Sequence, residues 1–201
     1  MSAPIAFDIA FPTNYELVEL DRIDRSGGKK AYSFPGSRPV DRQQELAVAP
    51  IVEVRPAEGD PWIAVFDGVE GYAVPPALHR AVIALPDGWT FCVIKEGIGV
   101  MVRANDPRST SEVESWPITG YLTVPDCELI VIADFTTLVA YGREGLAWRS
   151  RRLALDDLKI LRAEDHVLHV SGYFGLEDED TTFTVDLRTG DAHGQPWQPP
   201  E

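Results

Sequence analysis

The sequence has little of what several classes of protein require. It holds no apolar run long enough to cross a bilayer as a helix; the longest, around Glu128 to Ala133 and Trp89 to Ile94, have the length of strands. Residues Met1 to Ala10 lack a basic stretch followed by an apolar one, so no secretory signal is expected there, and Ser2 stands where myristoylation needs glycine. Cysteine is scarce. Cys92 and Cys127 lie in or beside apolar stretches, where a free thiol behaves as a small hydrophobe, and both are read as reduced. Long helical periodicity is missing, and the best helix candidates, Pro76 to Ala81 and Ser109 to Trp116, are short. There is no nucleophile elbow, phosphate-binding Gly loop, Cys-x-x-Cys pair, His-Glu-x-x-His or dinucleotide fingerprint, and no cofactor is expected. Positive charge is short as well: 18 basic residues face 32 acidic ones, a net charge of −14. Such a balance opposes binding to nucleic acid or anionic membranes and favours attraction to basic partners.

What the sequence has in quantity is short apolar stretches cut by turn residues. Tyr15 to Ile23, Glu45 to Arg55 and Pro61 to Phe66 have the composition of strands. Arg25 to Asp41, with Gly27-Gly28, Pro35-Gly36 and Pro39, reads as a long loop, and Asp67-Gly68 as a turn. From Arg80 the pattern sharpens into hairpins: Arg80 to Leu85, Trp89 to Lys95 and Ile98 to Arg103 are separated by Pro86-Asp87-Gly88 and Glu96-Gly97. Asn105 to Ser115 is polar and reads as an exposed loop or a short capped helix. Strands resume at Ile118 to Val124, Glu128 to Asp134, Thr137 to Tyr141, Gly145 to Arg152, Leu158 to Arg162, Val167 to Gly172 and Thr181 to Leu187. Alternation places Phe183, Val185 and Leu187 on one face of the last of these, whereas Leu129 to Ala133 is apolar on both faces and belongs in the middle of a sheet.

A repeat runs through this region. Pro86-Asp87-Gly88-Trp89 opens a strand as Pro125-Asp126-Cys127-Glu128 does, 39 residues later, and a further 39 residues lead to Asp165 ahead of His166 to Ser171. A period near 40 marks propeller blades. Two fragments, Gly145-Leu146-Ala147-Trp148-Arg149 and Val185-Asp186-Leu187-Arg188-Thr189-Gly190, resemble parts of quinoprotein-type blade repeats, and the resemblance covers residues 86–194. It implies consecutive antiparallel meanders and no quinone cofactor. It departs from the family in order: here the Trp fragment precedes the Thr-Gly turn by about forty residues.

Several side chains are candidates for a binding surface. Trp116 and Trp197 flank prolines in polar contexts and suit a protein or sugar surface. Arg149 and Arg151 form a local basic patch that could dock an anion, or pair with acids on a neighbouring strand. Glu177, Asp178, Glu179 and Asp180 form an acidic run at a hairpin tip. No catalytic residue and no metal ligand is assigned. Asp134 and Asp186 are the carboxylates considered for glycosidase-type work, and His166 and His169, three apart, would face opposite ways in a strand.

The expected fold is all-β and mainly antiparallel, a sandwich or stacked β-meander sheets with propeller-blade-like hairpins and little helix. One β domain is expected over 1–201, with irregular strands and a loop in 1–60, a regular meander core in 61–194 and a flexible tail at 195–201. The expected role is a non-catalytic, cytoplasmic, acidic protein-binding module, such as a bacterial immunity or accessory protein that neutralises a basic partner, with no nucleic-acid or membrane partner and no assigned oligomeric state. The rival roles are an enzyme acting on a carbohydrate or small molecule through carboxylates in a sheet-face cleft, and a structural component of a larger assembly.

Overall fold

The structure, a computed structural model, describes residues 5–23, 28–34, 38–39, 50–66, 80–175 and 180–194. The fold is all-β, with four mostly antiparallel sheets among these residues. Among the described residues, no helix is long and apolar enough to cross a membrane. The chain divides into two compact units, Met1–Val113 and Glu114–Glu201.

The first unit holds two five-stranded sheets. One runs in the order β2 (Tyr15–Glu19), β5 (Ile51–Pro56), β6 (Trp62–Phe66), β3 (Lys30–Phe34), β4 (Arg38–Pro39). β3 lies within the stretch expected to be loop. It pairs in parallel with β6, Ala31 opposite Ile63 and Ser33 opposite Val65. Its parallel partner is remote in sequence, and its glycine- and proline-rich flanks hide a short strand that buries Ala31 on one face and Phe34 on the other. The other sheet has β1 (Ala6–Asp8) parallel to β7 (Arg80–Ala84), followed by an antiparallel meander of β8 (Thr90–Lys95), β9 (Ile98–Arg103) and β10 (Asp106–Glu112). β10 corrects a second expectation, because this polar segment is neither loop nor helix. It lies at the edge of its sheet, where only the backbone has to pair, so its side chains stay polar and exposed. Both sheets feed one core in which Phe34, Trp62 and Phe66 meet Phe91, Val93 and Val102.

The second unit holds two consecutive four-stranded meanders: β11 (Gly120–Val124), β12 (Leu129–Ala133), β13 (Leu138–Gly142), β14 (Gly145–Arg149), then β15 (Asp156–Glu164), β16 (Val167–Tyr173), β17 (Thr181–Asp186), β18 (Ala192–His193). β12 is interior and buried at every position, as its two-faced apolar sequence requires. Phe183, Val185 and Leu187 point inward and share a core with Val131, Leu138, Leu168 and Val170. The 39-residue offset has a structural counterpart. Asp87, Asp126 and Asp165 each stand between the first two strands of a four-stranded meander.

The two fragments whose order departed from the blade pattern meet in space. The Trp148 indole Nε1 donates to the Leu187 carbonyl at 2.7 Å, and the ring lies directly over Gly190. The first unit repeats the device, with Trp62 Nε1 donating to the Ala104 carbonyl at 2.7 Å. Ala104 and Leu187 both come immediately after the third strand of their meander. In each unit, therefore, a buried Trp of one sheet is tied to the turn that closes the third strand of the next.

Candidate functional site

In the first unit, a cavity of about 500 Å³ opens where β3 and β6 begin, beside the turn between β9 and β10. That volume suits a small ligand. Parallel register sets Lys30 opposite Trp62 and Tyr32 opposite Ala64. Tyr32 stands edge-on to Trp62, ring centroids 5.8 Å apart, and the hydrogen bond to Ala104 fixes the indole behind it. Pro56, Pro61 and Pro107 stiffen the wall, and Gly59, at φ 115, adopts a backbone that other residues resist. The charged groups on the wall are Lys29, Lys30 and Asp60.

Lys29 is anchored by Glu53, Nζ to Oε1 2.9 Å. Glu53 is buried in β5 and accepts two further hydrogen bonds from Arg55, at 3.1 and 3.2 Å, while Arg55 also reaches Glu16. The Arg55 and Lys29 hydrogen bonds hold the Glu53 carboxyl below the usual glutamate range. Lys30 and Asp60 have no ion pair among the described residues and are available to a polar ligand. The cavity thus offers an aromatic wall with one cation and one anion at its rim.

The described residues among those singled out in the sequence stand on different elements. Trp116 is 56% exposed, beside the start of the second unit's first sheet. Trp197 and the acidic residues Glu177, Asp178 and Glu179 lie outside the described residues, as do the Asp67-Gly68 turn, the start of the Glu45 to Arg55 stretch and most of the Pro76 to Ala81 segment. Asp180 is bound to Lys159 at 2.9 Å, a lysine that also grips Asp157 at 2.6 Å. Arg149 ends β14 and pairs with Glu114 at 3.7 Å, whereas Arg151 lies beyond the strand and does not share its alternation.

Asp134 and Asp186 do not converge. Each opens an Asp-x-x-Thr turn. Asp134 Oδ1 accepts the backbone N–H groups of Thr136 and Thr137, both at 2.7 Å, and Oδ2 accepts the Thr137 hydroxyl at 2.6 Å. Asp186 Oδ1 accepts the Arg188 N–H at 2.7 Å. Asp134 sits near the start of β15, where Leu158 N–H donates to the Phe135 carbonyl, and Asp186 near its end, beside His166. Most of β15 separates them, roughly 20 Å. The same turn recurs at Asp87, whose Oδ1 caps Trp89 and Thr90. The Asp-x-x-Thr spacing at Asp87, Asp134 and Asp186 was legible in the sequence, and it marks these carboxylates as turn caps.

His166 and His169 also stay apart in role. His166 lies in the β15–β16 turn at φ 65, and His169 is in β16. No three His, Cys, Asp or Glu side chains are grouped to hold a metal among the described residues. His166 instead faces Cys127, Nδ1 to Sγ 3.1 Å. Both cysteines are free thiols; Cys92 is fully buried, and burial pushes its thiol up to about 12, while Cys127 is half-buried at the edge of the second core.

The sequence matches no protein-family model and no curated protein.

Sequence reasoning missed the cavity because its Lys29–Tyr32 wall fell in the stretch read as loop. It missed the Cys127–His166 contact although the repeat contained the signal. The separation is 39 residues, the offset of the repeat itself, so equivalent turns of adjacent meanders are neighbours.

Proposed function

We propose that the protein is a non-catalytic binding module that recognises a basic protein partner. The observation that supports it is the charge of −14, with acids in excess in both halves of the chain: 14 against 9 bases over the first hundred residues, and 18 against 9 over the rest. Complementary charge speeds encounter and penalises wrong partners, so its signature is kinetic. An immunity-type or accessory protein neutralising such a partner is the concrete form, and a cytoplasmic location is part of the same reading. The test is to isolate a partner from a native lysate and measure the purified pair's association rate against salt. A rate falling at least tenfold between 50 and 500 mM salt supports charge-steered recognition. A rate indifferent to salt refutes it.

The cavity supports a second reading, recognition of a small molecule carrying a ring and a polar group. Here the discriminating observation is saturable binding abolished by Tyr32→Ala but unaffected by salt.

A further inference from the structure

Among the thiols and imidazoles of the described residues, one pair is held together by the fold. Cys127 ends a short 3-10 turn, Pro125–Cys127, and the next residue, Glu128, takes a left-handed conformation at φ 51. His166 is the second residue of the tight Asp165-His166 turn, at φ 48 and 65. These are the equivalent first turns of the two meanders of the second unit, and the Leu187 N–H anchors the His166 carbonyl at 2.9 Å. Two rigid turns therefore aim Sγ and Nδ1 at each other across 3.1 Å, with the imidazole exposed and the thiol half-exposed.

We propose that Cys127 and His166 form a thiol–imidazole site that accepts small disulfides, making Cys127 the chain's modification site. In the step, the Cys127 sulfur attacks one sulfur of the disulfide. A new S–S bond forms, the old one breaks, and the departing half leaves as thiolate. The thiol proton passes to His166 Nδ1 and then to that thiolate, so Cys127 is oxidised to a mixed disulfide and the small disulfide is reduced to one thiol.

The surroundings explain why a base is needed. Partial burial and the Asp126 carboxylate hold the Cys127 thiol above its ordinary value, with Arg188 opposing them. A thiol that stays protonated at neutral pH is a poor nucleophile. An imidazole in hydrogen-bond contact removes that barrier, and a positioned base contributes up to about a hundredfold or more. Cys92, fully buried between β7 and β9, has no access to a reagent and serves as an internal control.

The experiment uses the full chain, with cystamine and oxidised glutathione as probes and intact-mass and peptide spectrometry as readout. Expected is one adduct, at Cys127, with none at Cys92. The cationic cystamine should react faster than the anionic glutathione disulfide, as a chain of charge −14 requires. His166→Gly and His166→Asn keep a turn in which the residue adopts a positive φ, since both replacements tolerate it. Each should slow labelling by about tenfold or more, and added free imidazole should restore part of the rate in His166→Gly. Cys127→Ser should abolish the adduct. Equal rates in the parent and both His166 variants would overturn the proposal, as would no response to imidazole or equal labelling of Cys92.

Discussion

Replacing Gly190 by alanine should cost far more than a surface methyl group normally does. A Cβ built on Gly190 falls 2.6 Å from Trp148 Cε3 and 3.0 Å from Cδ2, where carbon atoms prefer about 3.5–4.0 Å. The indole cannot retreat freely, because its Nε1 is tied to the Leu187 carbonyl at 2.7 Å and the ring is buried. Overpacking of this kind costs about 1–3 kcal/mol. The φ of +78° adds about 1 kcal/mol for any residue with a Cβ. The sum is about 2–4 kcal/mol. With a urea m-value of about 2 kcal/mol/M, that shifts the unfolding midpoint by about 1–2 M at unchanged m. Circular dichroism and tryptophan fluorescence can both follow the transition. Trp148→Phe lacks the Cε3 and Cζ3 atoms that meet the new methyl group, so Gly190→Ala should be milder in that background. A cost below about 0.5 kcal/mol, or the same cost in both backgrounds, would refute the picture of an indole pinned over the glycine.

Three further outcomes are expected. Asp134→Ala, which strips the cap from two backbone N–H groups and the Thr137 hydroxyl, should lower stability by about 2–4 kcal/mol in a urea titration, whereas a catalytic carboxylate could be removed at little cost to the fold. Glu53 has its folded-state pKa depressed by Arg55 and Lys29, so its contribution is present above its ordinary value of 4.5 and is lost as pH falls through the folded value; Glu53→Gln should therefore be less stable than the parent at pH 7, with the gap closing towards pH 3, and a gap independent of pH would contradict this. Trp116→Ala should change the melting temperature little, corresponding to less than about 0.5 kcal/mol, because the ring is 56% exposed; if it anchors a partner, affinity should fall at least tenfold in a titration of the complex.

The strands with sequence-local partners were the legible part of the fold. From Arg80 onwards, hairpin turns such as Glu96-Gly97, both at positive φ, announce an antiparallel neighbour within a few residues. β3 and β1 were not legible, because each pairs in parallel with a strand tens of residues away, and the one sequence-local partner of β3, β4, is only two residues long. β10 was hidden for a different reason: an edge strand exposed on its side-chain faces carries no apolar alternation. At the level of sites, composition favoured Trp116 and the acidic run because exposed aromatics and charge are visible in a string of letters. The cavity and the Cys127–His166 contact depend on which turns become neighbours. That information was in the 39-residue offset, and it becomes usable once equivalent positions of successive meanders are taken to lie side by side.

β10 has a bearing on how the chain survives in a concentrated solution. A seven-residue strand at a sheet margin offers a row of backbone donors and acceptors to any other extended chain, the first step of fibre growth. Its sequence, Asp106-Pro107-Arg108-Ser109-Thr110-Ser111-Glu112, answers that hazard. It has a carboxylate at each end, a proline that offers no N–H, and a register break between Asp106 and Thr110 that bends the margin away from a flat template. Polarity that looked like loop in the sequence is thus the composition expected of an edge strand that resists pairing with another chain. Valines in place of Arg108 and Ser111 would leave the fold intact and turn this margin into a seed for aggregation.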